Sequence, residues 1–411
     1  MHIDGYARAE LADGLIVLTE EMPEVRSASV GVWLRFGSVH EDPTEMGVSH
    51  LLEHMVFKGT RRRSAREIAL VLERLGGSLD AYTTREHTSF QARVLDAHLD
   101  TALEVLADLV LQPLLRDEDL ELEREVVLEE IATVEDTPDD LVFDLHSAAL
   151  WGDHPYGYNI LGTRETVARL TADDLRRVHA AAYARPNLIV AAAGNVRHGP
   201  FLERVAALWS EAAARAGAVA VPAPSEAAPC EVRVARSTAQ AHLVFGTQTF
   251  GHGDPRRYAL ILLSTALGGG MSSRLFQRVR EELGLAYSVY SYQTFYRHGG
   301  VAGVYVGTRP EWAERAADVV REEYQRLVRD GLGAGELEDV KGQVKGQMVL
   351  SLESTSARLH RLAGVALYDE PYLTVDELIA RIDAVTQRDV SALAAEILDP
   401  ERQVVLRLGP E

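Results

Sequence analysis

The stretch SASVGVWLRFGS, residues 27–38, alternates apolar with small or polar residues in the pattern of a half-buried β-strand. A second stretch of this kind, AHLVFGTQTFG, stands at residues 241–251, and each is followed by a helical run, further strands and long amphipathic helices. A closer match joins ERLGGSLDAYT (73–83) to EELGLAYSVYS (281–291), which share Glu, Leu, Gly and Tyr at equal offsets. The sequence therefore predicts two homologous halves.

The strand patterns in both halves are half-polar rather than continuously apolar. They favour antiparallel sheets covered by helices on one face, so we predict an α+β fold and not a doubly wound parallel sheet. Between the halves, SEAAARAGAVAVPAPSEAAPC (210–230) is rich in Ala, Pro and Ser and reads as a linker. We expect an N-terminal domain over 1–215, a linker over 216–230 and a C-terminal domain over 231–411.

Bulk composition excludes several classes of protein. The 411 residues carry a net charge of −20, so phosphate backbones would be repelled and we expect no nucleic-acid partner. No apolar run approaches the roughly 18 residues of a membrane span, and the start lacks a secretory signal. Cys230 is the only cysteine, which fits a reducing cytosol. These features predict a soluble, cytoplasmic protein, without a membrane partner, that attracts basic or unfolded peptides.

The stretch GVSHLLEHMVFKG, residues 47–59, places polar groups inside an apolar run. His50 and His54 are one helical turn apart and can reach a single metal ion, and Glu53 lies on the same face. The spacing H-x-x-E-H is a zinc-peptidase signature. Aligned on the Asp-Pro pairs at 42 and 254, the second half carries LLSTA where the first carries HLLEH. A requirement of the fold should appear in both copies, so these residues indicate chemistry.

A catalytic zinc needs a third protein ligand, and the helix predicted in DLELEREVVLEEIATV (119–134) offers one. Glu123 and Glu130 fall seven residues apart on its apolar, core-facing seam. Two carboxylates there are unfavourable unless they are paired, protonated or bound to a cation. We predict Glu130 as the ligand and Glu123 as a carboxylate that supports the site. The alternative is that both simply form salt bridges with arginines.

Four motifs together resemble the pitrilysin/insulinase family of zinc peptidases, the inverzincins, and especially its mitochondrial-processing-peptidase-like branch. They are GVSHLLEHMVFKGT, LGGSLDAYTTREHTSF, ELEREVVLEEIATVEDTPDD and LGGGMSSRLFQRVREELGLAYSVYS, in the family's order along essentially the whole chain. The resemblance implies the LuxS/processing-peptidase-like metallohydrolase fold. It also implies Zn2+ bound by both motif histidines and by a glutamate 76 residues beyond the second, which is Glu130 here. The family's additional acidic residue falls on Glu123.

The resemblance also implies roles for the remaining site residues. Glu53 would act as the general base that takes a proton from zinc-activated water and delivers it to the leaving amine. An Arg and a Tyr of the second half would bind substrate at its oxyanion; we predict Arg278 and Tyr287, although Arg280 has equally plausible spacing. A surface arginine and a core tyrosine are the alternative. The strand within 78–94 resembles the family's edge strand, which binds an extended peptide.

We therefore predict a zinc metalloendopeptidase that hydrolyses unfolded peptides or oligopeptides. A homodimer is expected, and a homologous partner chain is possible because some relatives take their Arg and Tyr from one. The rival prediction is a non-catalytic or hetero-oligomeric processing-peptidase-like subunit that serves assembly or substrate binding. A purely structural zinc is a weaker rival, because structural sites commonly have four closed ligands that include Cys.

Overall fold

The structure is a computed structural model that describes residues 5–210, 212–214 and 221–410. Part of the expected linker, 216–220, lies outside the described residues. The chain forms two compact units. The first comprises Met1–Ala132, Tyr158–Val221 and Ser351–Tyr372, and the second comprises Thr133–Gly157, Pro222–Leu350 and Leu373–Glu411.

Strands and helices are named here in chain order over the described residues. The strands are β1 (Tyr6–Glu10), β2 (Ile16–Glu21), β3 (Ser27–Leu34), β4 (Ser78–Thr83), β5 (Thr88–Leu95), β6 (Leu188–Gly194), β7 (Cys230–Ala235), β8 (Ala241–Thr249), β9 (Ala286–Phe295), β10 (Gly300–Thr308) and β11 (Val404–Gly409). The helices are α1 (Val48–Val56), α2 (Ala65–Glu73), α3 (Leu99–Leu111), α4 (Asp117–Glu135), α5 (Pro138–Trp151), α6 (Arg164–Arg169), α7 (Ala172–Ala182), α8 (His198–Leu208), α9 (Arg257–Gly268), α10 (Ala313–Asp330), α11 (Ala334–Ser351), α12 (Thr355–Leu367), α13 (Val375–Asp383) and α14 (Gln387–Ile397).

The two sheets share one topology. The first has the strand order β1-β2-β6-β3-β5-β4 and the second β7-β11-β8-β10-β9, so the orders coincide once β1 is set aside. The predicted α+β fold with two homologous halves is confirmed. One detail differs from the expected antiparallel sheets: β2 pairs with β6, and β7 with β11, in parallel. In each pair a long segment with several helices separates the two strands, so a hairpin does not dictate their direction.

Helices cover both faces of each sheet, whereas we expected them on one face. In the first unit, α1, α3 and α7 pack on the face that includes Val190, and α12 packs on the opposite face, which includes Ile189. In the second unit, α9, α10 and α14 cover one face and α5 covers the other. The central strand β6 is buried along its whole length, so its side chains need cover on both sides.

Each unit includes a helix from the other half of the sequence. Helix α12 belongs to the first unit, where Arg358 forms an ion pair with Glu20 of β2 and Thr355 Oγ1 lies 2.9 Å from Ser29 Oγ of β3. Helix α5 belongs to the second unit, where His146 Nε2 lies 3.1 Å from the carbonyl oxygen of Val404. The division that we predict at 216–230 separates the two halves along the sequence. Each compact unit consists mainly of one half and also includes one segment of the other half.

Within the part of the chain that the structure describes, no helix combines the length and the apolar character that crossing a membrane requires.

Candidate metal centre

Helix α1 carries the H-x-x-E-H motif. The apolar residues of α1 anchor one side of the helix in the core. Leu51, Leu52 and Met55 are fully or almost fully buried in the cluster under the first sheet. The chain enters the helix at Gly47, whose φ of 92° favours glycine. A Cβ at Gly47 would also lie 2.5 Å from the carbonyl oxygen of Leu161, so this entry point accepts no side chain.

Three side chains converge as the sequence predicts. Nε2 of His50 lies 3.6 Å, and Nε2 of His54 3.7 Å, from Oε2 of Glu130 on α4. One ligand atom from each residue lies within 4.8 Å of the other two, and no other group of three His, Cys, Asp or Glu does so among the described residues. Neighbouring ligands of a tetrahedral zinc with bonds of about 2.1 Å are about 3.4 Å apart. The donor set and its spacing therefore fit zinc, with a fourth position left for water.

His50 is held in the form that binds metals. Burial, and secondarily the neighbouring His54, lower the pKa of His50 to about 4. The two rings lie with their centroids 4.6 Å apart. At neutral pH the His50 imidazole is therefore uncharged and its ring can offer a lone pair to a cation.

Glu123 lies next to His54. Nδ1 of His54 lies 3.2 Å from Oε2 of Glu123, while Oε1 of Glu123 forms an ion pair with Nζ of Lys58. A carboxylate at Nδ1 favours the tautomer that carries its proton there and leaves Nε2 free to bind a metal. Lys58 compensates the charge of a buried carboxylate, since the Glu123 side chain is only 8% exposed.

Glu53 lies in a setting suited to a base. Burial raises the pKa of the Glu53 carboxyl, and a 2.6 Å hydrogen bond donated by Thr83 Oγ1 at the end of β4 partly offsets this rise. A carboxylate whose pKa is shifted towards neutrality accepts a proton more readily at pH 7. Strand β4 forms the edge of the first sheet, so its outer backbone groups have no neighbouring strand in that sheet within the described part of the chain.

Three residues around the motif were missed by sequence reasoning. Lys58 had a usable signal, because it is one of only three lysines among 42 basic residues. Thr83 lies within the stretch 78–94, for which the sequence predicts an edge strand but no role of an individual hydroxyl. Glu41 stands in a loop without periodicity, and the carboxylate of Glu41 accepts hydrogen bonds from the backbone N–H groups of Gly47 and Ser49.

Arg278 and Tyr287 belong to the second unit, whereas the metal-centre residues belong to the first. Arg278 lies on a π-helical segment, Phe276–Glu282, and donates a 2.6 Å hydrogen bond to Glu282. The guanidinium of Arg280 lies 4.5 Å from the ring centroid of Tyr287 and donates to its carbonyl oxygen at 3.1 Å. The contact with Tyr287 thus belongs to Arg280, the alternative left open by the sequence. Tyr287 is 76% exposed.

The fold and the site together define a duplicated α+β protein that has, among the described residues, one candidate metal site of the His-His-Glu type. The chain belongs to the insulinase family, peptidase family M16. The model of that family matches residues 16–164, and the model described as the peptidase M16 inactive domain matches residues 169–344. All three residues of the metal cluster, His50, His54 and Glu130, lie within the first of these matches.

Relatives agree with this assignment, and two solved structures share the fold. The chain is 42% identical to an uncharacterized zinc protease of Streptomyces coelicolor, over 98% of this chain and 89% of that relative. It is 40% identical to an uncharacterized zinc protease of Bacillus subtilis, over 96% of both chains. A protease from Helicobacter pylori has the same fold, with a TM-score of 0.93 at 22% identity over 100% of both chains. A peptidase M16 inactive domain from Pseudomonas fluorescens gives 0.92 at 23% identity, over 99% of this chain and 98% of that one.

Proposed function

We propose that this protein is a zinc metallopeptidase that hydrolyses peptide bonds of unfolded peptides or oligopeptides. The observation that carries the proposal is the convergence of His50 Nε2, His54 Nε2 and Glu130 Oε2, with Glu53 on the same helix. The names of the relatives support a zinc-dependent protease, and the motif is complete, which does not favour the rival of a non-catalytic subunit.

Each site residue of the first unit has a distinct role in this proposal. His50, His54 and Glu130 would hold zinc, which when bound supplies a Lewis acid that polarises water and the scissile carbonyl. Glu53 takes a proton from the attacking water as its oxygen bonds to the carbonyl carbon. Glu53 then gives this proton to the amine nitrogen as the C–N bond breaks. Thr83 orients Glu53, and Glu123 orients His54.

The choice of substrate rests on backbone chemistry. The exposed edge strand β4 offers N–H and C=O groups to an extended peptide, and such pairing reads main-chain shape more than side chains. We keep as a proposal that Tyr287 and an arginine of the second half bind the substrate oxyanion. The contact between Arg280 and Tyr287 favours Arg280 over Arg278 for this role.

The assembly and location expected from the sequence also remain proposals. We propose a cytoplasmic homodimer. The alternative assembly to test is a complex with a homologous partner chain. Sedimentation of the purified protein, alone and mixed with a co-encoded homologue, measures the assembly. Activity that arises only on mixing would show that the partner supplies essential groups.

The decisive experiment compares Glu53→Gln with the wild type. We expect the variant to keep about one zinc per chain, measured by elemental mass spectrometry. Its cleavage of a fluorogenic unfolded peptide should fall by roughly a hundredfold to ten-thousandfold, because the amide cannot accept the water's proton. Glu125→Gln is the matched control, since Glu125 is exposed on α4 between Glu123 and Glu130 and should change neither property. A wild type without zinc and without activity, also when mixed with a homologue, refutes the proposal.

A further inference from the structure

Glu41 is a buried carboxylate that binds the beginning of the metal-site helix. The residue is 6% exposed. Oε2 of Glu41 accepts a hydrogen bond from the backbone N–H of Gly47, and Oε1 accepts one from the backbone N–H of Ser49, each at 2.8 Å. Both oxygens are therefore engaged by the first turn of α1, which begins at Val48.

The helix has no cap of its own at this end. The first N–H groups of any helix lack partners inside the helix, and a side chain at the N-cap usually accepts from one of them. Here the N-cap is Gly47, which has no side chain and makes no side-chain cap hydrogen bond. Glu41 supplies the missing acceptors from outside the helix, and its negative charge suits the positive end of the helix dipole.

The loop before the helix is anchored as well. Thr166 on α6 donates a 2.7 Å hydrogen bond to the carbonyl oxygen of Met46. A Cβ at Gly162 would lie 2.3 Å from that same oxygen, so the backbone approach is as close as glycine permits. Because Thr166 holds the loop and Glu41 holds two backbone N–H groups at the helix start, the first turn of α1 has little freedom to rotate or shift.

We infer that Glu41 is a positioning residue of the metal centre: its carboxylate holds the first turn of α1 and thereby places His50, Glu53 and His54. His50 is the third residue of the helix, directly after the amide of Ser49 that the carboxylate holds. A small rotation of this turn would move its imidazole relative to Glu130 on α4. This inference rests on the proposed function, because placing the residues is useful only if they bind zinc.

The burial of Glu41 favours a role in placing the helix over a role in stability. Removal from water raises the pKa of the Glu41 carboxyl to about 7, although the hydrogen bonds from residues 47 and 49 lower it. The ionised form is thus unfavourable at this position relative to the unfolded chain. An unfavourable group with both oxygens directed at a functional helix is typical of a site residue.

Glu41→Gln tests the inference with little change of shape. The amide can still accept one N–H, but its own NH2 group faces the other, so one helix amide is left without an acceptor. Glu20→Gln is the matched control, because Glu20 is also buried in the first unit and pairs with Arg358 on α12, not with α1. For both variants we would measure zinc affinity by competition with a chelator, and kcat and KM at saturating zinc.

We expect Glu41→Gln to bind zinc roughly tenfold to a hundredfold more weakly, the range seen when a group behind a metal ligand is removed. The kcat should fall while KM is unchanged, because we expect no contact between Glu41 and the substrate. The Glu20 variant should match the wild type in both quantities. Wild-type zinc affinity and kcat in the Glu41 variant would overturn the inference, and so would equal losses in the two variants.

Hydrogen exchange separates this inference from the proposed function. In metal-free protein, the peptide covering residues 42–52 should exchange faster in Glu41→Gln than in the wild type, with no such change in Glu20→Gln. Unchanged exchange would show that the carboxylate does not hold the helix. A wild type that binds no zinc would instead refute the proposed function, and the exchange result would still decide whether Glu41 caps α1.

Discussion

Helices α1 and α9 occupy equivalent places in two sheets of the same topology, yet only α1 carries the H-x-x-E-H motif. At the positions of His50, Glu53 and His54, the alignment places Leu262, Thr265 and Ala266. Leu262 and Ala266 are buried in the core of the second unit, and Thr265 donates its hydroxyl hydrogen bond to Ile261 within its own helix. The fold therefore needs a helix here but does not need histidines.

The edge strands show the same contrast. The aligned stretches place Thr83 of β4 opposite Ser291 of β9. The Thr83 hydroxyl reaches across to Glu53 of α1, whereas Ser291 donates to the carbonyl oxygen of Ser264 in α9 at 2.5 Å. Gly268 adds to the close packing in the second unit, since a Cβ there would lie 2.3 Å from the Ser291 nitrogen. In the first unit, a polar site thus lies between α1 and β4. In the second unit, hydroxyl contacts join α9 directly to β9.

The largest effect is expected when α1 receives the residues of α9. The double variant His50→Leu, His54→Ala removes both imidazole ligands, so zinc binding should disappear and peptidase activity should fall by at least about ten-thousandfold. The free energy of unfolding of the metal-free protein, measured in urea, should not decrease, because apolar groups replace polar ones in a buried setting. A marked loss of metal-free stability would show that these histidines also serve the fold.

Placing a histidine of α1 at the aligned position of α9 tests whether the second unit has room for a polar side chain there. Leu262→His places a polar ring at a position that is 0% exposed, in a unit where no group of three metal-ligating side chains is found among the described residues. We expect the free energy of unfolding to fall by about 4 kcal/mol, from lost packing and a polar group without a partner. Leu262→Met, which preserves volume, should lose less than about 1.5 kcal/mol. Tolerance of the histidine would mean that the space around α9 resembles that around α1.

Acid should weaken the second unit through His146 on the exchanged helix α5. Burial lowers the pKa of His146 from 6.5 to about 4, although its hydrogen bond to Val404 opposes this. The folded state therefore binds fewer protons than the unfolded state between these values. The contribution of neutral His146 to the free energy of unfolding is complete above pH 6.5. It is lost as the pH falls to about 4, which lowers the free energy of unfolding by about 3 kcal/mol.

Urea unfolding between pH 4 and pH 8 measures this dependence. The difference between wild type and His146→Leu should grow as the pH rises from 4 to 6.5 and then remain constant. A difference independent of pH would show that His146 titrates normally and that its burial does not carry the effect.

The smallest effect concerns the contrast between Thr83 and Ser291. Thr83→Val removes the hydroxyl that donates to Glu53, so kcat should fall about tenfold, which corresponds to about 1.4 kcal/mol, while zinc content stays unchanged. Thr83→Ser keeps the donor and should retain most of the activity. Equal losses in both variants would assign the effect to the methyl group and to packing.

Local patterns made much of the site predictable. The spacing of His50, Glu53 and His54 places them on one helix face, and the periodicity around Glu130 places it on the same helix stripe as Glu123, so both features can be read from residues close in the chain. The linear sequence could not predict Glu41, which acts across a loop, or the Arg280 contact with Tyr287 rather than Arg278. It also could not predict the second helical layer on each sheet.

The sequence by itself determined the duplicated α+β fold and the motif on α1, because strand alternation and helical spacing are properties of neighbouring residues. Only the tertiary structure decided the contacts that other groups make around the motif. Glu130, Glu123 and Thr83 reach it from α4 and β4, and the exchange of α5 and α12 between units is set by which apolar face needs cover. Such contacts depend on packing between segments far apart in the chain, and no local pattern encodes packing of that kind.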